Sequence, residues 1–410
     1  MPRAGQLKPL SDSRLTDHIS IGVLTRVFPP ELVDSVVAEA GRRERRQRLL
    51  PARVVVYYVL AMALFADSSY EEVMRQLVEG LAWESGWQRV WAVPDKAAIF
   101  KARQRLGREP LELLFAAACS PLAGERTRGA FYRGLRLMSL DGTCLDVPDT
   151  PANDQEFGRP GSSRREGGGA FPQLRLVALS ETGTHAITDA ALGPYTTGEN
   201  ALADELLGAL EAGMLCLADR GFYSFERFQA ARATGAELLW RVKGDVGLPR
   251  ERTLDDGSYL TSIYALKDRK AKRDGQPARV VEYQLDDPVR GGEDQRYRLI
   301  TTIVDPDAGP ADELAGLYSE RWEIEGALDE LKTHQRGARV VLRSKHPDGV
   351  YQEAYGHLAT HYAIRRVMHD AALRSHLDPD RLSFIASLRA ARRSARTQPG
   401  FSPPNDQRRA

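Results

Sequence analysis

The sequence predicts an α/β protein: a mixed sheet flanked by helices, preceded by a helical N-terminal domain and interrupted by a β-rich insertion. Two patterns lead there. Up to about Ala123 the chain reads as successive helices, and beyond Tyr132 a period-two alternation takes over in LRLMSLDGTCLDV, FPQLRLVALSE and THAITDAALGPY. GENALADELLGAL, MLCLADR, SFERFQAARATG and ELLWRVK follow, giving the order β-β-β-α-β-α-β, which belongs to a mixed sheet with helices packed on it.

Each element carries its own signals. Pro30 suits the first turn of an amphipathic segment running to Gly41. Ser69 is a helix cap for SYEEVMRQLVEGL, and Asp95 and Gly107 bracket DKAAIFKARQRLG. The second and third strands join through Gly183, which predicts antiparallel pairing. Ser224 caps the following helix and Gly235 stops it. From about 244 to 296, charge and turns (DRKAKRDGQ, DDPVRGGEDQ) surround the strand-like ARVVEYQL, a β-rich insertion. RYRLITTIVD returns to the core, and one long helix runs from Asp312 to His334. The expected domains are 1–125, helical; 126–375, the sheet domain with its insertion; and 376–410, a basic segment, Pro-rich at its end.

Composition narrows the class. The 410 residues are 42% hydrophobic and 28% charged, enough for a sizeable packed core. The start lacks the apolar run of a secretory signal, and Val54–Phe65 is too short to span a bilayer, so it reads as a buried helix. Cys119, Cys144 and Cys216 are scattered without disulfide or zinc spacing, which suits a reducing cytosol. Net charge is only +1, but arginines cluster: Arg42, Arg43, Arg45, Arg46 and Arg48; Arg389, Arg392, Arg393 and Arg396; and Arg159, Arg164 and Arg165. Such clusters neutralise nucleic-acid phosphates or form solvated faces, and both readings stand. The first supplies the candidate DNA contacts Arg42, Arg43, Arg45 and Arg46.

The carboxylates carry the chemistry. Asp141 follows LRLMSL and precedes Gly142, and Asp219 closes the buried MLCLA. Each sets an anion beside apolar residues at a strand end, a costly arrangement that a shared divalent cation would compensate. Turn aspartates at strand ends are the ordinary alternative. The long helix shifts the balance. At about 100° per residue, Tyr318, Arg321, Glu325 and Lys332 fall within roughly 60° of one another, beside an apolar stripe of Leu317, Ile324, Leu328 and Leu331. An Arg321–Glu325 ladder is the structural alternative. Asp141, Asp219 and Glu325 together would form a two-metal site for in-line phosphodiester displacement. Arg321 and Lys332 would then grip phosphates, Tyr318 would bond one, and Trp322 would offer a face to an unstacked base.

Tyr318-x₂-Arg321-x₃-Glu325-x₆-Lys332 resembles the Y-R-E-K motif of the insertion sequence 4 family of bacterial DDE transposases. LDGTCLDVPDTPAN around Asp141, LADRGFYSF around Asp219, VVLRSKHPDGV and the N-terminal FPPELVDSVVAEAGRRERRQRLLPARVVVYYVLAMALF are similar to that family as well, so the resemblance spans roughly residues 20 to 395. It implies a ribonuclease-H-like core and cut-and-paste transposition of double-stranded transposon-end DNA into target DNA. It further implies Mg²⁺, with Mn²⁺ as substitute, a synaptic homodimer, and nicking, hairpin formation, hairpin opening and strand transfer in a bacterial cytoplasm. Trp240 and Trp322 are both candidates for stacking a flipped base. Many relatives continue with a further basic tail where this chain ends in PGFSPPNDQRRA, so weaker dimerisation or end binding is expected.

Other signals are weaker. His357 and His361 lack the glutamate of a metalloprotease helix and read as packing. Asp146 and Asp149 read as loop residues, Asp189 as structural, and Gly158–Gly169 as a loop without a phosphate-cradling lysine. A non-joining nuclease and a catalytically silent DNA-binding regulator are the competing functions.

Overall fold

The computed structural model describes residues 22–44, 48, 50–82, 93–160, 171–284, 296–337 and 341–397. Arg45, Arg46, Arg164 and Arg165 lie outside the described residues. Contacts divide the chain into two units, one of Met1–Cys119, Leu331–Met368 and Ser383–Ala410, the other of Ser120–Glu330 and His369–Leu382.

The first unit is helical. Its centre is the Ala52–Leu64 helix, buried on nearly every side. A helix that apolar sinks its polar tips by giving each a partner: the Tyr57 hydroxyl donates to Phe28 O at 2.6 Å and Tyr58 to Tyr70 O at 3.2 Å. The capping signals hold. Asp95 accepts from Ala98 N at 2.6 Å, Ser69 from Glu72 N at 3.1 Å, and Gly107 takes φ 69° to end its helix. His357 and His361 are buried in the Pro347–Ser375 helix, and burial pushes His357 down to about 3, as packing residues require. Among the described residues no helix is long and apolar enough to cross a membrane.

The second unit is built on a ten-stranded mixed sheet among the described residues. Its strands are β1 Phe131–Tyr132, β2 Leu135–Asp146, β3 Gln173–Glu181, β4 Ala186–Pro194, β5 Met214–Ala218, β6 Glu237–Arg241, β7 Arg252–Thr253, β8 Tyr259–Ile263, β9 Gln276–Gln284 and β10 Arg296–Thr301. They run in the order β4-β3-β2-β5-β6-β10-β9-β8-β7, with β1 on β2. The β2–β5 and β5–β6 pairs are parallel and the others antiparallel. Gly183 in the β3–β4 link is required by space: a β-carbon there would lie 2.6 Å from Ala130 N. The insertion is β-rich as expected, but β7, β8 and β9 extend the core sheet through β10 instead of standing apart, because β9 completes the open edge of β10.

Alternation along the strands builds two cores. Met138, Leu140, Val177, Leu179, Cys216 and Trp240 pack with the Glu199–Leu206 and Phe225–Ala233 helices. Leu137, Leu215, Leu217, Leu239 and Leu299 pack on the other face with Leu314 and Tyr318. Trp240, fully buried and edge-on to Phe228 at 5.5 Å, is the largest side chain of the first core. Trp240→Ala is expected to cost about 3–5 kcal/mol through lost burial and cavity formation, read as a lowered unfolding midpoint. An unchanged midpoint would mean that the core does not depend on it.

Candidate active site

Strand register builds the site. In the parallel β2–β5 pairing Leu140 faces Ala218, and in β5–β6 Ala218 faces Trp240. The next residues along these three neighbouring strands are Asp141, Asp219 and Arg241, a row along the carboxyl edge of the parallel strands, where open α/β sheets form their crevices. Asp141 is not the strand end that the Asp-Gly turn signal suggested. β2 runs on to Asp146 against β3, and only its β5 neighbour stops there. The effect is similar, since loss of one partner opens the crevice beside Asp141.

By alternation Asp141 projects to the Tyr318 face. The expected long helix is present but changes pitch: Ala311–Leu317 is α-helical, Tyr318–Arg321 tightens to 3₁₀, Trp322–Asp329 is α-helical and Glu330–Gln335 widens to a π turn. A constant 100° per residue therefore does not hold along it, and such changes favour functional positions. Lys332 lies in the widened turn and groups with the first unit.

The residues expected to touch DNA are placed in different ways. Tyr318 is 3% exposed, and its hydroxyl sits 3.3 Å from Ala218 O and 3.4 Å from Asp219 Oδ1, both partners inside the protein. Arg321 is 5% exposed, with Nη1 3.5 Å from Asp141 Oδ2 and Nη2 donating to Glu325 Oε1 at 3.0 Å. Its guanidinium also lies over the Trp322 ring, 4.7 Å from the centroid. Trp322 is 38% exposed, whereas Trp240 is buried completely and has no face left for a base. Arg42 is half-buried and pairs with Glu109 at 3.1 Å, while Arg43 is exposed.

Each acid thus has an arginine. Asp141 and Glu325 share Arg321, and Asp219 lies 3.7 Å from Arg241 Nη1. Arg241 escaped the sequence reading, although a cation at the end of a third parallel strand (ELLWR) was its signal. Burial pushes the Asp141 carboxyl up to about 6. The Gly142 N–H and Arg321 oppose that rise, and Glu325 and Glu199 reinforce it. Asp146 accepts from Gln173 and Asp149 pairs with Arg159, so neither joins the row; Asp189 accepts from Ala190 N at 2.8 Å.

Among the described residues the one grouping with ligand atoms all within 4.8 Å is His185, Glu323 and Asp380, not the three acids. His185 Nε2 lies 2.5 Å from Glu323 and 3.3 Å from Asp380, and Nδ1 is 3.8 Å from Glu330. Glu323 is two residues from Glu325 and projects from the other side of the helix, so these contacts tie its back to the β3–β4 link.

The comparisons give this geometry its context. Residues 18–116 match the insertion element 4 transposase N-terminal model, and residues 132–362 match the transposase DDE domain. The transposase InsG of insertion sequence element IS4 from Escherichia coli K12 is 31% identical over 379 residues, 91% of this chain and 83% of that one. The chain belongs to the insertion sequence 4 family of DDE transposases. A second E. coli K12 relative, InsZ, is 28% identical over 240 residues, 58% of this chain and 77% of that one. A piggyBac transposase in a synaptic complex with hairpin DNA superposes with TM-score 0.48 at 12% identity, covering 91% of this chain and 79% of that one. As a family member this transposase is a metal-dependent DNA nuclease and strand transferase with a ribonuclease-H-like catalytic fold. The exposed oxygens of a half-buried acid row suit a hard divalent cation.

Proposed function

We propose that this transposase excises and inserts an insertion sequence through a two-metal site held by Asp141, Asp219 and Glu325, with Mg²⁺ as the cation and Mn²⁺ as a substitute. The observation that carries the reading is the register at Leu140, Ala218 and Trp240, which sets two acids side by side and brings Glu325 toward them through Arg321. Two such cations would activate the attacking hydroxyl and stabilise the leaving oxygen. The chain's own groups hold the geometry. Tyr318 fixes Asp219 from beneath, Arg241 balances its charge, and Arg321 links Asp141 to Glu325. Trp322 offers a partly exposed ring for an extruded base, and Lys332, Arg42, Arg43, Arg45 and Arg46 are the proposed phosphate contacts. The reaction runs by nicking, hairpin formation at the transposon end, hairpin opening and joining to target DNA, within a homodimer that pairs two ends in the bacterial cytoplasm.

The test is incubation of the purified chain with a fragment carrying the element's own ends, in Mg²⁺ or EDTA, resolved on a denaturing gel. End-specific hairpins that require Mg²⁺ support the whole scheme. Metal-dependent breaks without hairpins would remove the hairpin step, and binding without cleavage would favour a silent regulator.

Asp141 makes the reaction pH-dependent in a stated direction. With its carboxyl raised to about 6, the ion-free fold keeps this acid mostly protonated only below about pH 6. Its contribution to stability is full below the unfolded value of about 3.9 and is lost as pH rises through about 6. A cation must displace that proton. At subsaturating Mg²⁺, cleavage should therefore fall about tenfold per pH unit below about 6 and recover with added Mg²⁺. A pH profile that does not move with Mg²⁺ concentration would show that some other group sets it.

A further inference from the structure

Glu199 opens the Glu199–Leu206 helix, which packs on the face of the sheet opposite Tyr318. Its carboxylate lies directly on Gly142, the residue after Asp141. A β-carbon on Gly142 would meet Glu199 Cδ at 2.9 Å and Cγ at 3.1 Å, and would collide outright with Oε1. The missing side chain is what lets this acid reach the rim of β2. Gly142 needs no left-handed backbone, so close approach is the reason for glycine here.

Its electrostatic position is equally specific. Glu199 is half-buried, and its carboxylate rests on the residue that follows Asp141 in β2. Asp141 and Glu325 have Arg321, and Asp219 has Arg241 and Tyr318. Among the described residues Glu199 has no hydrogen-bond or ion-pair partner beyond its place in a helix N-terminal turn. A glutamate at a first helical position is ordinarily explained by the helix dipole. That explanation does not require a neighbouring strand to give up a side chain for it.

We propose that Glu199 is a fourth carboxylate of the metal site, an oxygen ligand, direct or through one water, to a divalent cation held by Asp141. The proposal rests on the two-metal reading above. Acids then converge on the rim from both faces of the sheet, Asp141 and Glu325 from one and Glu199 from the other.

The test measures Mn²⁺ binding to the full chain by electron paramagnetic resonance, with unfolding midpoints in EDTA alongside. Glu199→Gln is expected to weaken Mn²⁺ about tenfold or more while the EDTA midpoint stays put. Gly142→Ala, which displaces the Glu199 carboxylate without removing any charge, should weaken it similarly. Glu205→Gln, an exposed acid on the same helix, should leave binding unchanged. If Asp141→Asn loses Mn²⁺ while Glu199→Gln binds it as the wild type does, Glu199 is no ligand and the two-metal reading stands. A Glu199→Gln change that lowers only the EDTA midpoint likewise overturns the proposal in favour of a helix-dipole role. A wild-type chain that takes up no Mn²⁺, with or without end DNA, overturns both.

Discussion

Asp141→Asn, Asp219→Asn and Glu325→Gln are each expected to slow end cleavage by on the order of a thousandfold or more while retention of end DNA in a gel-shift assay stays close to wild type. The amides keep the size and most hydrogen bonds of the acids, so what disappears is charge and hard-oxygen donation. Asp141→Asn still offers an oxygen to the Gly142 N–H and to Arg321, and Asp219→Asn still offers one to Tyr318. The fold should therefore survive, and Asp141→Asn should even stabilise the ion-free chain above pH 6, because a neutral group replaces a buried charge. A normal cleavage rate in any one of the three would remove that acid from the site.

Much of this arrangement was legible in the sequence because local rules decide it. Alternation exposes Asp141 and Asp219 as acids next to buried apolar runs, and caps such as Asp95 and Ser224 place helix starts to the residue. The Tyr318, Arg321 and Glu325 grouping survives the change in helix pitch because a 3₁₀ turn and an α turn differ little over so few residues. What was not legible depends on register between strands distant in sequence. That Leu140 faces Ala218, and Ala218 faces Trp240, follows from how three strands slide against one another, and no local pattern reports it. Arg241 therefore went unnoticed, and Trp240 and Trp322 were indistinguishable until one lay in the core and the other at the surface. The surroundings of Tyr318 were hidden for a related reason. A tyrosine on the functional stripe reads as a surface donor, yet the helix lies so close to β5 that its hydroxyl ends on Ala218 O and Asp219.

Arg321→Ala should produce effects of opposite sign, tighter metal binding and slower cleavage. Its guanidinium is the cation that Asp141 and Glu325 share in this structure, so an incoming divalent ion competes with it for the same oxygens. Deleting it removes the competitor, and Mn²⁺ affinity in the absence of DNA should rise severalfold. The same deletion frees Glu325, 44% exposed at its side chain, from the partner that holds it toward the sheet. Cleavage should then fall by about ten- to a hundredfold, the usual loss when a group that orients a ligand is removed. Arg321→Lys separates the two effects. A lysine returns the charge but has no planar fork to reach both carboxylates while lying on Trp322. Mn²⁺ affinity should return toward wild type while cleavage stays low. If Arg321→Ala instead weakens Mn²⁺, the arginine supports the ligand set without competing for it. If Arg321→Lys cleaves normally, charge alone is enough and the fork geometry does not matter.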